Sequence, residues 1–202
     1  MQGLSLKNVI LRLYEKGRKK PVYEELGEML FTHFGVSGPL VLTASCYIKE
    51  PYSDYYFEID LKPGLSEEKL ENRLLRDFSE NINKSISNVL SLLLPQKAIS
   101  VIIKRSGISP DKKVNCITRD ERAALIGKLK ALKFSVSDLR PISEAIITSG
   151  GISVREINPG TMESKLAEGL YFAGEVIDVN AYTGGFNLQI AFSTGYSAGM
   201  NA

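Results

Sequence analysis

The stretch Gly169-Leu170-Tyr171-Phe172-Ala173-Gly174-Glu175-Val176-Ile177-Asp178, followed by Thr183-Gly184-Gly185-Phe186-Asn187-Leu188-Gln189, constrains this chain more than any other feature. It reads as an apolar strand over residues 170–173, then Gly174 and the acids Glu175 and Asp178, then a double glycine and a helix. Glycines let a main chain approach a ligand where a Cβ would collide. The helix start offers unpaired N–H groups and a partial positive charge. An acid at the carboxyl end of a strand can accept hydrogen bonds from sugar hydroxyls. Together these features suit a flat, phosphorylated ligand. A glycine-rich strand-turn-helix connection with no ligand is the competing reading, and the double glycine alone does not separate the two.

The longer pattern resembles a known family. Thr148-Ser149-Gly150-Gly151, Glu156-Ile157, Thr161-Met162-Glu163-Ser164-Lys165 and the run from Gly169 to Gly199 are similar to the C-terminal FAD-binding segment of BaiN/RdsA-type, aminoacetone-oxidase-like bacterial NAD(P)/FAD-dependent oxidoreductases. Far upstream, Gly27-Glu28-Met29-Leu30-Phe31-Thr32-His33-Phe34-Gly35-Val36-Ser37-Gly38-Pro39 and the opening Gly3-Leu4-Ser5-Leu6-Lys7-Asn8-Val9 also fit. The matches run in family order along nearly the whole chain. Full-length members of that family begin with a Rossmann unit whose G-x-G-x-x-G loop holds the FAD pyrophosphate. No two glycines here lie two apart, so that loop is absent. The chain therefore resembles the second half of such a flavoprotein, with the nucleotide cradle missing.

Several expectations follow from the resemblance. The cofactor is FAD in the full-length protein, with NAD(P)H as electron donor. The cofactor-binding residues are Gly150, Gly151, Gly174, Glu175, Asp178, Gly184, Gly185, Phe186 and Asn187. Glu175 stands where related flavoproteins commonly carry an Asp that bonds the ribitol chain. Gly184, Gly185, Phe186 and Asn187 would bring backbone N–H groups to the pyrimidine edge of the isoalloxazine, where negative charge gathers on reduction. The expected partners are the missing N-terminal Rossmann half and a small-molecule substrate held between the flavin and the inserted subdomain. The chain would be inactive alone. An alternative is a non-enzymatic cap or interaction module that folds alone and binds no cofactor.

Composition fits an ordinary globular chain: 202 residues, 44% hydrophobic and 24% charged. With 25 basic against 23 acidic residues, the net charge of +2 gives no electrostatic case for nucleic acid or an anionic membrane, and neither is expected as a partner. No apolar run approaches the roughly 20 residues of a membrane span. Cys46 and Cys116 show no paired pattern, which suits reduced thiols in the cytoplasm. A single histidine, His33, makes a dedicated zinc site improbable. His33 is expected to be a strand residue with one structural hydrogen bond. Lys16, Arg18, Lys19 and Lys20 read as a solvated hairpin tip.

The period along the chain sets the fold class, α+β. Residues 6–14 and 22–31 alternate and flank a turn, which predicts an antiparallel hairpin. Pro39 suits the first position of a helix running to about residue 47. A strand follows over 55–61. From 66 to 132 the period becomes helical, with Leu70, Leu74, Leu75 and Phe78 on one stripe and a capping box at Thr118 and Glu121. Strand character returns over 133–138. The resulting division is 1–65, the first part of a strand-rich insertion subdomain; 66–132, a helical subdomain; 133–147, return strands; and 148–202, the C-terminal segment of the FAD domain. The resemblance implies the same architecture: barrel-like antiparallel strands, a small helical insert, and the last strand and helix of a two-dinucleotide-fold FAD domain.

Overall fold

A computed structural model describes residues 1–202. The chain divides into two compact units, Met1–Asp138 and Leu139–Ala202.

The first unit is built on a five-stranded antiparallel sheet. Strands β1 (Leu4–Glu15) and β2 (Tyr23–Phe31) form the expected hairpin. A two-residue strand β3 (Val36–Ser37) pairs with β2, while β4 (Tyr55–Asp60) and β5 (Leu132–Ser135) extend the other side, giving the order β3-β2-β1-β4-β5. Alternation decides the buried face: Leu11 and Leu13 of β1 and Phe57 and Ile59 of β4 all point inward. Between Leu6 and Val9 the register against β2 slips by one residue, and Asn8 takes φ 55° there. Asn tolerates this left-handed conformation, and such a bulge bends the strand. The strand expected over 133–138 stops at Ser135, beyond which only the Val136 amide still reaches β4, at the Tyr55 carbonyl.

Helix α1 (Pro39–Ser45) begins at Pro39, as the sequence predicts, and buries Leu40, Val41 and Ala44. Four helices lie between β4 and β5: α2 (Glu67–Ser79), α3 (Ile86–Val89), α4 (Gln96–Ser106) and α5 (Arg119–Lys130). Ser66 caps α2 by accepting from the Lys69 amide, and the Thr118–Glu121 capping box starts α5. Gly107, in the left-handed region at φ 73°, ends α4. Leu70 and Leu74 of α2, Ile102 and Ile103 of α4, and Leu125 and Leu129 of α5 join the sheet's inner face in one hydrophobic core. Asp60 is buried at the end of β4, where Lys130 Nζ reaches its Oδ2 at 2.5 Å. Lys130 also donates to the carbonyls of Lys62 and Leu65, so both charges are satisfied.

His33 is not a strand residue. It lies in the turn between β2 and β3, exposed, with its ring edge-on to Phe34 at 5.0 Å. The tight return from β2 to β3 takes it out of the sheet.

The second unit has little regular structure before helix α6 (Phe186–Asn201). Its core is small: Ile157, Met162 and Ile177 are buried, with Ile152, Phe172 and Ala198 packed on them. Residues 170–173 do not form the expected strand. Tyr171 makes one bridge to Glu163, and Gly174–Val176 is a 3-10 turn. The segment pairs only with residues 162–164, where Ser164 donates to the Leu170 carbonyl and Phe172 to the Met162 carbonyl, and so short a pairing does not make a strand.

Candidate functional site

All nine sequence-predicted site residues fall in the second unit. Gly150 and Gly151 run beside the segment 176–178. Ile152 donates its amide to the Val176 carbonyl at 2.8 Å, and Asp178 donates to the Ile152 carbonyl at 2.9 Å. A Cβ on Gly151, which has φ 137°, would lie 2.4 Å from the Val176 oxygen. The neighbouring main chain is therefore enough to require glycine at this position. The Asp178 side chain is exposed beyond this ladder.

Glu175 turns back onto its own unit. One carboxylate oxygen accepts from the amide of Thr148 at 2.6 Å and from its hydroxyl at 3.2 Å. Gly174 donates its amide to Thr194 Oγ1 at 3.0 Å, which ties the 3-10 turn to the middle of α6. Thr194 in turn donates to the Ile190 carbonyl at 2.7 Å. Asn187 clasps the loop before the helix: its Oδ1 accepts from the Ala181 amide and its Nδ2 donates to the Ala181 carbonyl, both at 3.0 Å. With both amide atoms engaged in this way, the side chain of Asn187 is structural, and what the helix start offers outward is backbone.

That helix start is unusual. Gly184 and Gly185 both have positive φ, 125° and 89°, and Gly185 occupies the cap position. No side chain caps the helix, and its first turn holds no acid. The first N–H groups of a helix have no partner inside it, so this end exposes donors and the positive pole of a 16-residue dipole. Phe186 stands exposed beside them. From Gly169 to the last residue there is no Lys or Arg. A diphosphate would find no cation in this segment. The neutral, polarisable edge of a ring system, or a ribitol hydroxyl, matches uncapped N–H donors. An isoalloxazine edge and a ribitol chain are groups of that kind, and a pyrophosphate is not.

Helix α6 has no charged residue. Asn187, Ala191, Thr194 and Ala198 face its own unit. Leu188, Phe192, Tyr196 and Met200, four residues apart, form an apolar ridge with exposures of 63%, 70%, 73% and 67%. A contiguous apolar ridge of this kind is normally covered by another surface. The loop at residues 161–165 is held internally: Asn158 donates to the Glu163 carbonyl, Met162 donates back to the Asn158 carbonyl, and Gly169 donates to the Glu163 carboxylate. Thr148 and Thr194 are the site-building residues that sequence reasoning missed. Thr194 sits at helical spacing from Asn187 on the small-residue face, which was its only signal. Thr148 stood out only as the first residue of the Thr148–Gly151 motif, and its partner lies 27 residues away.

Comparison with known proteins identifies the family of the chain. Residues 1–147 match the family model described as the HI0933-like protein barrel and H2TH domain. A ribosomal RNA dihydrouridine synthase of Haemophilus influenzae is 33% identical over 201 residues, covering 100% of this chain and 47% of that protein. The protein of the same name in Escherichia coli K12 is 31% identical, covering 86% of this chain and 42% of its own length. A 3-dehydro-bile acid delta(4,6)-reductase of Clostridium scindens is 29% identical, covering 89% of this chain and 44% of its own length. The chain thus spans about half the length of the curated relatives it matches, and corresponds to their C-terminal part. These relatives are oxidoreductases, and the chain belongs to the HI0933-like family.

Proposed function

We propose that this chain works as the C-terminal portion of an FAD-dependent oxidoreductase. In this reading it supplies the substrate-side subdomain and part of the isoalloxazine and ribitol site. The observation that carries the reading is the incompleteness of the second unit. It buries three large apolar side chains and leaves fourteen exposed. So small a core does not hold 64 residues rigidly by itself. A nucleotide-binding half carrying FAD would cover the α6 ridge and meet the uncapped helix start. When bound, the flavin would take up and pass on a hydride, with NAD(P)H as donor. The chain's own part is to hold Gly184 and Gly185 in place through the Asn187 clasp, and to aim backbone N–H groups at the charge that develops on the ring.

The names of the relatives point to two substrate classes, ribosomal RNA and a bile acid. We take RNA as the substrate of the whole protein, on the charge distribution described below. The second reading, a module that folds alone and binds no cofactor, draws support from the first unit, whose sheet and helices share one complete core.

The test is to join the chain to the nucleotide-binding half of a relative and purify both forms. The joined protein should carry FAD and be bleached by NADPH or NADH, and the chain alone should be colourless. A colourless joined protein that is otherwise folded would favour the cofactor-free module.

A further inference from the structure

The net charge of +2 averages two segments of opposite sign. Residues 84–130 hold ten Lys and Arg against three Asp and Glu, and the rest of the chain holds fifteen against twenty. The stretch from residue 84 to 130, which follows the acidic helix α2, is thus strongly basic on an otherwise acidic chain. A field segregated in this way attracts a polyanion to one face.

The fold decides which of these cations are available. Lys112 is neutralised by Glu121 at 2.6 Å, Arg122 by Glu71 at 3.1 Å and Lys130 by Asp60. Lys84, Lys113 and Arg119 are exposed and have no such partner. They are also drawn together. The chain before α3 pairs with the chain before α5 through an antiparallel bridge from Ser85 to Lys113. Ile86 donates its amide to the Lys112 carbonyl, and Val114 donates to the Lys84 carbonyl. The Lys112–Glu121 ion pair then fastens this ladder to the first turn of α5, where Arg119 sits. The hydroxyls of Ser85 and Ser87 lie between, 2.9 Å apart. Asp111 and Asp120 are the exposed acids of the stretch. Lysine, arginine and serine hydroxyls on a rigid ladder are groups that commonly contact phosphate and sugar.

We propose that the exposed cations around this ladder, Lys84, Lys113 and Arg119, dock the phosphate backbone of RNA, as the contact that holds an RNA substrate on the protein. This rests on the reading of the chain as part of an oxidoreductase, but the contact needs no flavin. It can therefore be tested on this chain whether or not the cofactor reading survives.

The experiment is fluorescence anisotropy of a labelled, mixed-sequence RNA hairpin titrated with the chain across a range of salt. Each lost phosphate contact lowers the slope of log affinity against log salt by about one. The triple variant Lys84→Gln/Lys113→Gln/Arg119→Gln should lose about three units of slope, with affinity falling more than roughly tenfold at low salt. The triple Lys16→Gln/Lys19→Gln/Lys20→Gln removes the same charge from the hairpin tip and should leave both nearly unchanged. If the first triple loses helical circular dichroism, the single variants decide, at about one unit of slope each. Equal weakening by both triples would overturn the proposal. So would RNA binding that persists in the first triple while binding to phosphatidylserine vesicles is lost.

Discussion

The carboxylate of Glu175 accepts hydrogen bonds from both the amide and the hydroxyl of Thr148, at 2.6 Å and 3.2 Å. An acid in the position that resembles a ribitol-binding carboxylate is thus engaged within the chain, where it pins the segment leading to Gly150 and Gly151. Glu175→Ala should raise hydrogen exchange at the Thr148 amide well above wild type and leave the first unit's exchange unchanged. Unaltered protection at Thr148 would mean that the pin is not formed in solution.

The glycines of the second unit separate into two kinds. At Gly185 nothing lies within 4 Å of a built Cβ, so only φ 89° penalises a side chain. Gly185→Ala should cost about 1–2 kcal/mol. Gly151→Ala combines φ 137° with an overlap of 2.4 Å against the Val176 oxygen. It should cost at least about 3 kcal/mol and abolish protection of the Ile152 and Asp178 amides. Exchange measured on both variants checks the order, and a milder effect at Gly151 would contradict it.

How far the sequence could be read depended on the range of the interactions. Pro39 at the start of α1 and the Thr118–Glu121 box were legible because capping is settled within four residues. The hairpin of β1 and β2 was legible from alternation. The bulge at Asn8 and the two-residue β3 were not, since both depend on pairing across the sheet. The 170–173 segment has strand composition, yet composition cannot supply the neighbouring strand. At the site, the double glycine and the helix were visible. The clasp of Asn187 on Ala181 and the tie of Gly174 to Thr194 required the folded loop. Whole-chain net charge, from which no nucleic-acid partner was expected, concealed the basic stretch 84–130, because averaging removes the segregation.

The buried pair of Asp60 and Lys130 sets a stability test in the first unit. Asp60 is 4% exposed, and Lys130 holds it at 2.5 Å. Lys130→Met leaves the carboxylate buried without its cation, and should cost about 3–5 kcal/mol in urea unfolding. A loss below about 1 kcal/mol would show that water reaches Asp60 and screens it.

Acid stability should report the Glu121 cap. Hydrogen bonds from Lys112 and from the Thr118 amide hold Glu121 below the usual carboxylate range. A folded-state value below the unfolded one stabilises the fold above the ordinary Glu value of about 4.3, and this contribution is lost as pH falls through the lowered value. Glu121→Gln should therefore narrow the gap in melting temperature between about pH 6 and about pH 3. Identical acid limbs in variant and wild type would remove Glu121 from the account.

The central claim is that the glycine turn before α6 meets the flavin. The most direct measurement is FAD bound per protein in the chain joined to a nucleotide-binding half, comparing wild type with Gly185→Val. Because the space around Gly185 is open in the chain itself, Val should meet a steric block only from the cofactor, beyond the backbone strain that Gly185→Ala already shows. The account predicts near-stoichiometric FAD in wild type, partial loss in Gly185→Ala and a much larger loss in Gly185→Val, with the melting of the first unit unchanged. Full FAD content and an unaltered reduction potential in the Val variant would contradict it, and would make the double glycine a turn and nothing more.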